Sequence, residues 1–196
     1  ALDHEKGFRW DAWVYGDYAD SEFASKGRAG FDFGVALPWK HSSLWLYNSA
    51  GIVEGDEDSS LAYWFFGGFG NNYVDDGDIR RYRNYYSFPG FEIDGLSGQD
   101  FAKAMLEWNL PPYRFSEVGI PAFYLGWLRP ALFAGYLSTD IGNDSSRENY
   151  QSIGFQIDLG FTVVHKLPMT LSLGFARGYV GAEHYDDEVM LSLKVL

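Results

Sequence analysis

The 196-residue sequence contains no cysteine, which excludes a disulfide framework and a thiolate metal site and leaves the redox compartment open. Basic residues are few. The 15 lysines and arginines are outnumbered by 27 acidic residues, and the net charge of −12 argues against a nucleic-acid partner, because phosphates require basic side chains. No apolar run approaches the roughly 18 residues of a spanning helix. Without a recognisable signal peptide, the sequence predicts either a processed chain or a piece of a longer one.

Catalytic motifs are also missing. The sequence has no Gly-x-Ser-x-Gly elbow, no His-Glu-x-x-His pair and no phosphate-binding loop, and its four histidines show no spacing suited to a metal. The acidic runs at 56–58, 75–78 and 186–188 lack the spacing of a known calcium loop. We therefore predict a non-enzymatic protein without catalytic residues, cofactor or metal site, whose acidic runs are solvated loop tips.

Aromatic residues and glycine are abundant instead. Aromatics make up 19% of the chain and glycine occurs 23 times, which is typical of many strands joined by tight turns. Eight segments alternate apolar and polar side chains, the period of a strand with one apolar face: 8–18, 28–37, 43–53, 102–110, 120–139, 152–163, 169–176 and 189–195. We expect a bulge near Arg129 and Pro130. Short proline-bearing turns alternate with longer acidic connections, including 19–27 and 181–187, as in an outer-membrane barrel.

The residues on each row indicate which environment each face meets. The polar rows consist mostly of Gly, Ser, Ala and Thr, whereas a water-facing strand surface more often carries Lys and Glu. Aromatic residues lie near the ends of the apolar rows, as in an interfacial girdle: Trp10, Trp108, Phe161 and Tyr179. We therefore predict an all-β, antiparallel transmembrane barrel whose apolar rows face lipid. A soluble β-sandwich that binds carbohydrate through its aromatic residues stays open as an alternative, as does a simple pore.

The longest connection, residues 54–100, is exceptional in length and in its content of rings. Loops of this length are usually functional or disordered, and a segment so aromatic must bury its rings against something. It also carries a basic cluster: Arg80, Arg81 and Arg83. Because an unpaired buried charge is costly, we predict that these cations pair inside the lumen with acidic residues of the strands. The candidate partners are Glu107, Asp32 and Asp158.

Several motifs, taken in order along the chain, resemble the C-terminal half of the BamA-like outer-membrane barrels, also called the bacterial surface antigen family. They are Gly67 with Gly68, then Phe88, Pro89, Gly90 and Phe91, then Leu96, Ser97 and Gly98, and then residues 106–111. The resemblance covers residues 28–196. It implies that residues 1–196 form the C-terminal part of one barrel domain of about 16 strands, of which eight are present. It also implies that residues 54–100 form an extracellular loop that folds into the lumen.

The remaining strands must come from elsewhere. The interior of an eight-stranded barrel is just filled by its own side chains, and an open half barrel would expose two sheet edges to lipid. We therefore expect an amino-terminal half, a second copy or another chain to complete the ring. The expected location is the bacterial outer membrane, with the lipid bilayer as partner and lipopolysaccharide as a further candidate. The resemblance implies membrane anchorage and a role in protein insertion, export or surface display.

The chain departs from the family pattern at three positions. Pro89 replaces the arginine at the tip of the family's loop. Gly135 stands where an acidic residue is expected, two positions after Phe133. In the family these two residues are partners across the lumen, so the sequence predicts that this lock is absent. Leu196 replaces the aromatic residue that usually closes such barrels.

Overall fold

The computed structural model describes residues 4–19, 22–56, 59–71, 73–116, 118–120, 122–143, 145–164 and 166–195. Its strands are β1 (Gly7–Ala19), β2 (Glu22–Ala36), β3 (Ser43–Glu54), β4 (Trp64–Phe66), β5 (Val74–Asp75), β6 (Leu96–Gly98), β7 (Asp100–Asn109), β8 (Tyr113–Arg114), β9 (Gly119–Ile120), β10 (Phe123–Thr139), β11 (Glu148–Val163), β12 (Leu167–Val180) and β13 (Glu183–Val195). Two short 3-10 helices lie at Ser60–Ala62 and Arg81–Arg83. None of the described helices is long and apolar enough to span a bilayer.

Eleven strands form one mostly antiparallel sheet, so the prediction of an all-β fold is confirmed. Its body consists of eight long strands of 10 to 17 residues in chain order, namely β1, β2, β3, β7, β10, β11, β12 and β13. Each of the eight alternating segments overlaps one of these strands. The short strands β8 and β9 pair with β10, and β5 runs parallel to β13. Strands β4 and β6 form a separate two-stranded sheet.

Among the described residues the sheet is open, because β1 pairs with β2 and does not pair with β13. Eight antiparallel strands place the first and last in opposite directions. In the part of the chain that the structure describes, the outer edge of β1 has no strand beside it, and β13 is paired on its outer side with β5 at Leu193 and Lys194. Such edges readily pair with another strand.

Two expectations about the connections are wrong. The regions 19–27 and 181–187 are not long loops, because β1 ends at Ala19 just before β2 begins at Glu22, and β12 ends at Val180 just before β13 begins at Glu183. The polar residues there belong to strands, since backbone pairing satisfies N–H and C=O groups whatever the side chains are. Short connections therefore occur at both ends of the strands, and the lengths of successive connections do not alternate strictly.

The expected bulge is also displaced. The register of β10 against β11 shifts between Leu125 and Trp127, whereas Pro130 pairs regularly with Ile157. The Pro130 carbonyl accepts a hydrogen bond from Leu110 on the opposite side, at the gap between the β7 and β8 pairings. A proline is tolerated at that position because the N–H that it lacks would point into the same gap.

The two faces of the sheet differ in what covers them. Residues 55–99, which we call the inserted segment, lie against one face, the covered face. The polar rows are buried there, including Ser152, Gln156, Asp158, Thr170, Ser172 and Ser192. On the opposite, open face the apolar rows are exposed: Val189 is 67% exposed, Ile153 56% and Leu173 48%. The apolar rows therefore do not meet one another in a core.

The core lies between the covered face and the inserted segment. One cluster joins Trp64, Phe66, Phe88, Phe91 and Leu96 of the segment to Phe101, Leu137 and Tyr150 of the strands. A second joins Phe69 and Tyr82 to Tyr47, Met105, Phe133, Ala176 and Met190. The segment also reaches both edge strands, since Trp64 contacts Tyr15 of β1 and β5 pairs with β13. A single segment thus links the two open edges.

Candidate functional site

The tip of the inserted segment, Phe88, Pro89, Gly90 and Phe91, is docked on the covered face. Both phenylalanine side chains are buried, and the Phe91 ring contacts Tyr150 of β11 and Tyr185 of β13, at centroid distances of 5.6 and 5.0 Å. The Phe88 ring lies over Gly135, where an added Cβ would be only 3.1 Å from the ring. The absence of an acidic side chain at Gly135 therefore makes room for an aromatic contact.

The backbone of the tip is held by two side chains of neighbouring strands. Ser152 donates its hydroxyl hydrogen to the Pro89 carbonyl. The Glu188 carboxylate accepts hydrogen bonds from the backbone N–H groups of Gly90 and Phe69, at 3.0 and 3.1 Å. Glu188 was expected in a solvated loop tip, and that expectation is wrong. Its place in the polar row of β13, two residues before Met190, is the signal that could have identified it.

Gly67 and Gly68 shape the backbone around the tip. Their φ angles are +151° and +65°, which side chains rarely tolerate. A Cβ on Gly67 would lie 1.8 Å from the Glu92 carbonyl oxygen, so only glycine permits this approach. The Gly68 N–H then donates to the Phe91 carbonyl at 2.9 Å. The paired glycines hold the tip to the preceding part of the same segment.

Two of the three loop arginines bind carboxylates buried on the covered face. Arg80 donates from Nε to Asp158 at 2.9 Å and from Nη1 to Glu107 at 3.3 Å. Arg83 makes a bidentate contact with Glu107, donating from Nε at 2.8 Å and from Nη2 at 2.6 Å. Both carboxylates are fully buried. We call these four residues the buried network.

The other two candidate residues lie outside this network. Arg81 pairs with Asp75 within the inserted segment and also donates to the Tyr73 hydroxyl. Asp32 binds Arg9, its cross-strand neighbour on β1, at 2.5 Å. Asp32 pairs with Arg9 and not with a loop arginine, because the strand register places Arg9 directly opposite Asp32.

Electrostatics keep the arginines of the buried network charged. Burial alone lowers the pKa of Arg83, but the Glu107 carboxylate outweighs this effect and raises that pKa well above its ordinary value. Burial likewise lowers the pKa of Arg80, while the carboxylates of Asp158 and Glu107 raise it overall. The fully buried Tyr82 has its pKa raised by burial and by Glu107, so its ring, stacked 4.6 Å from Phe133, stays neutral.

The sequence analysis missed the contribution of Lys103. This β7 residue is buried, and its ammonium group donates to the carbonyls of Asn84, Tyr85 and Ser87, at 2.7 and 3.2 Å for the first two. It lies in the same row as Glu107 and Asn109, and the Asn109 side chain accepts from Arg80. A lysine in a strand that directly follows the long connection was the signal that could have identified Lys103.

Replacing Lys103 by Met should loosen residues 84–87. The change keeps the length of the side chain but removes one donor from each of three carbonyls. Asn84 keeps the Ser87 N–H as a donor, whereas an unsatisfied buried carbonyl at Tyr85 or Ser87 costs about 1–3 kcal/mol. We expect faster amide hydrogen exchange at residues 84–87 and a lower unfolding temperature. Lys40→Met, in the exposed turn between β2 and β3, is the control and should change neither. Unchanged exchange in the Lys103 variant would contradict a role in holding the segment.

The contacts of this region attach the inserted segment to the covered face of the sheet. Within the described ranges, no group of three or more His, Asp or Glu side chains is placed to hold a metal. Asp75 and Asp187 of the acidic runs bind Arg81 and Arg177, and Glu57 and Asp58 lie outside the described residues.

The contacts at the site therefore retain the inserted segment against the covered face. The BamA-like resemblance depends on motifs of the sequence. Comparison with family models, with curated proteins and with solved structures finds no match to this chain.

Proposed function

We propose that the chain supplies eight strands and a lumen-filling segment to a transmembrane β-barrel of the bacterial outer membrane. The barrel is of the BamA-like type and serves membrane anchorage and the insertion, export or surface display of proteins. One observation carries the proposal: aliphatic rows are exposed on the open face while serine, threonine and acidic side chains are buried on the other. Water disfavours so large an apolar surface, whereas lipid requires it.

The dimensions of the strands support this assignment. A strand that crosses a bilayer at a tilt needs about 9–11 residues. Each of the eight long strands has 10 or more. Their aliphatic rows continue from strand to strand, as Leu173 of β12 lies opposite Ile157 of β11 and Leu191 of β13.

The open edges require further strands in this setting. Hydrocarbon offers no partner to the backbone groups along β1 and β13, so a lone open sheet is not viable in lipid. An amino-terminal half, a second copy or another chain would complete a ring of about 16 strands, wide enough for the inserted segment. The lipid bilayer, and lipopolysaccharide at its outer surface, would contact the open face.

The inserted segment acts as a plug in this proposal. Two arginines and two buried carboxylates attach its middle, and Ser152 and Glu188 attach its tip. None of these contacts presents a catalytic arrangement, which supports a non-enzymatic role. The arginine and acidic partners of the family are replaced here by Pro89 and Gly135, and the tip is retained by the Phe88 contact with Gly135 together with the hydrogen bonds to Ser152 and Glu188.

A soluble sandwich that binds carbohydrate is less well supported. Among the described residues no second layer lies on the open face, and the tip rings Phe88 and Phe91 are buried against the strands. Sugar-binding platforms need exposed rings. A simple pore is also less well supported, because the inserted segment covers the face that would line the channel.

Substituting Leu173 with Arg tests whether the open face meets lipid. Leu173 lies in the middle of β12, and arginine at the bilayer midplane costs about 2–4 kcal/mol. We expect this loss in urea titrations of the completed barrel, with its remaining strands, folded into phospholipid vesicles. Leu167→Arg, on the same face at the end of β12, is the control and should lose at most about 1 kcal/mol. If the face meets water, Leu173→Arg should change stability by no more than about 0.5 kcal/mol.

A further inference from the structure

A cavity of about 670 Å³ lies where β1 begins and β13 ends. Residues from both edge strands line it, among them Arg9 of β1 and Lys194 of β13. Trp45 of β3, Arg129 of β10 and residues 78–80 of the inserted segment complete much of the wall. The cavity therefore brings together parts of the chain that are distant in sequence.

Basic side chains are concentrated around this cavity. The whole chain has 15 lysines and arginines among 196 residues and a net charge of −12, yet six of them are among the 14 residues that line this one space. They are Lys6, Arg9, Arg80, Arg83, Arg129 and Lys194. The lining contains a single acidic residue, Asp78. The charge of the cavity wall is thus opposite to that of the protein.

Nearby carboxylates neutralise part of this charge. Asp32 binds Arg9, Glu107 binds Arg80 and Arg83, and Asp158 binds Arg80 and lies 3.8 Å from Arg129. Asp78 adds a fourth carboxylate beside the six cations of the wall. The ion pairs formed among the described residues engage the arginines and include neither Lys6 nor Lys194.

We infer that this cavity binds a phosphate-bearing anion. Arginines held in place by carboxylates present rigid donor groups, and lysine ammonium groups act as compact point charges, which are the two means by which proteins recognise phosphate. The stacked rings of Trp45 and Tyr47, with centroids 5.9 Å apart, provide an apolar wall for the organic part of the ligand. The volume falls within the range of about 300–1,000 Å³ of small-molecule sites.

The ligand could be a soluble phosphate compound or the headgroup of a phospholipid, since both present the same chemistry. The inference is independent of the proposed barrel, because it depends on the charge and shape of the cavity and not on what the open face meets. Lys6 and Lys194 are the residues to test, since they line the cavity and are not part of the buried network.

The test compares the Lys6→Gln/Lys194→Gln double variant with the unchanged chain. Binding of inorganic pyrophosphate is measured by titration calorimetry at constant ionic strength, because salt screens such interactions. The lipid source is measured by retention on detergent micelles that contain phosphatidylglycerol, compared with phosphatidylcholine. We expect saturable binding of at least one probe by the unchanged chain and at least tenfold weaker binding by the double variant.

Two further variants make the outcome decisive. Lys40→Gln/Lys166→Gln removes the same charge from turns that do not line the cavity and should bind as the unchanged chain does. Lys6→Arg/Lys194→Arg keeps the charge and should retain binding. Circular dichroism monitors folding in each case. Absence of binding to both probes, or equal weakening by the cavity pair and the turn pair, would overturn the inference.

Discussion

Glu107→Gln should lower the free energy of unfolding by about 3–5 kcal/mol, because removing one partner of a buried ion pair leaves a charge uncompensated. Glu107 is fully buried and accepts from both Arg80 and Arg83, so its loss affects both attachments of the segment to β7. Glutamine keeps the shape of the side chain, which restricts the effect to charge. Urea titration in detergent micelles, followed by circular dichroism, measures the change.

A surface ion pair provides the matched control for this experiment. Asp187→Asn removes the same charge from an exposed pair with Arg177 on the neighbouring strand. Exposed pairs contribute little because water and salt screen them, so we expect almost no change in the urea midpoint. Limited proteolysis should also cut residues 55–99 faster in the Glu107 variant only. Equal responses of the two variants would show that the buried network does not retain the segment.

Gly90→Ala should displace the tip from β12. Gly90 has a φ of +91°, and a Cβ there would lie 2.6 Å from the backbone nitrogen of Gly178 and 2.8 Å from the carbonyl carbon of Arg177. β12 cannot retreat, because it pairs with β11 on one side and β13 on the other. Backbone strain of about 1–3 kcal/mol and overpacking of similar size together predict a loss of about 2–6 kcal/mol.

Gly181→Ala separates the cost of backbone strain from the cost of overpacking. Gly181 also has a positive φ, +62°, but no atom lies within 4 Å of the position that its Cβ would occupy. This control should therefore show the conformational cost alone and leave the tip docked. Quenching of the chain's tryptophan fluorescence and hydrogen exchange at residues 88–91 both report on the tip. If both variants lose the same stability and keep the same exchange, close contact between the tip and β12 is not important.

Local patterns in the sequence were sufficient to locate the eight long strands. Side chains at successive strand positions point to opposite faces, so alternation around Ile153 or Leu171 identifies a strand and separates its two rows without knowledge of any partner. Strand ends were less predictable. The acidic residues from Glu183 to Glu188 looked like a loop, yet they continue β13, because ladder pairing does not depend on side-chain polarity.

The partners of charged residues could not be read from the sequence. Arg80 and Asp158 are 78 positions apart, and nothing in their neighbourhoods distinguishes Asp158 from Asp32 as a partner. Residue types indicated that buried arginines need carboxylates, which named Glu107, Asp32 and Asp158 together. The path of the inserted segment selected two of them, and the register of β1 against β2 assigned the third to Arg9.

Alternation and composition alone therefore established an all-β chain with eight long strands and a ring-rich segment that had to be buried. The folded chain was needed to show which face the segment covers, that Glu188 and Lys103 hold it, and that six basic residues surround one cavity. The difference has a physical cause: strand periodicity is a property of adjacent residues, whereas pairing and enclosure depend on distances between residues far apart in the chain.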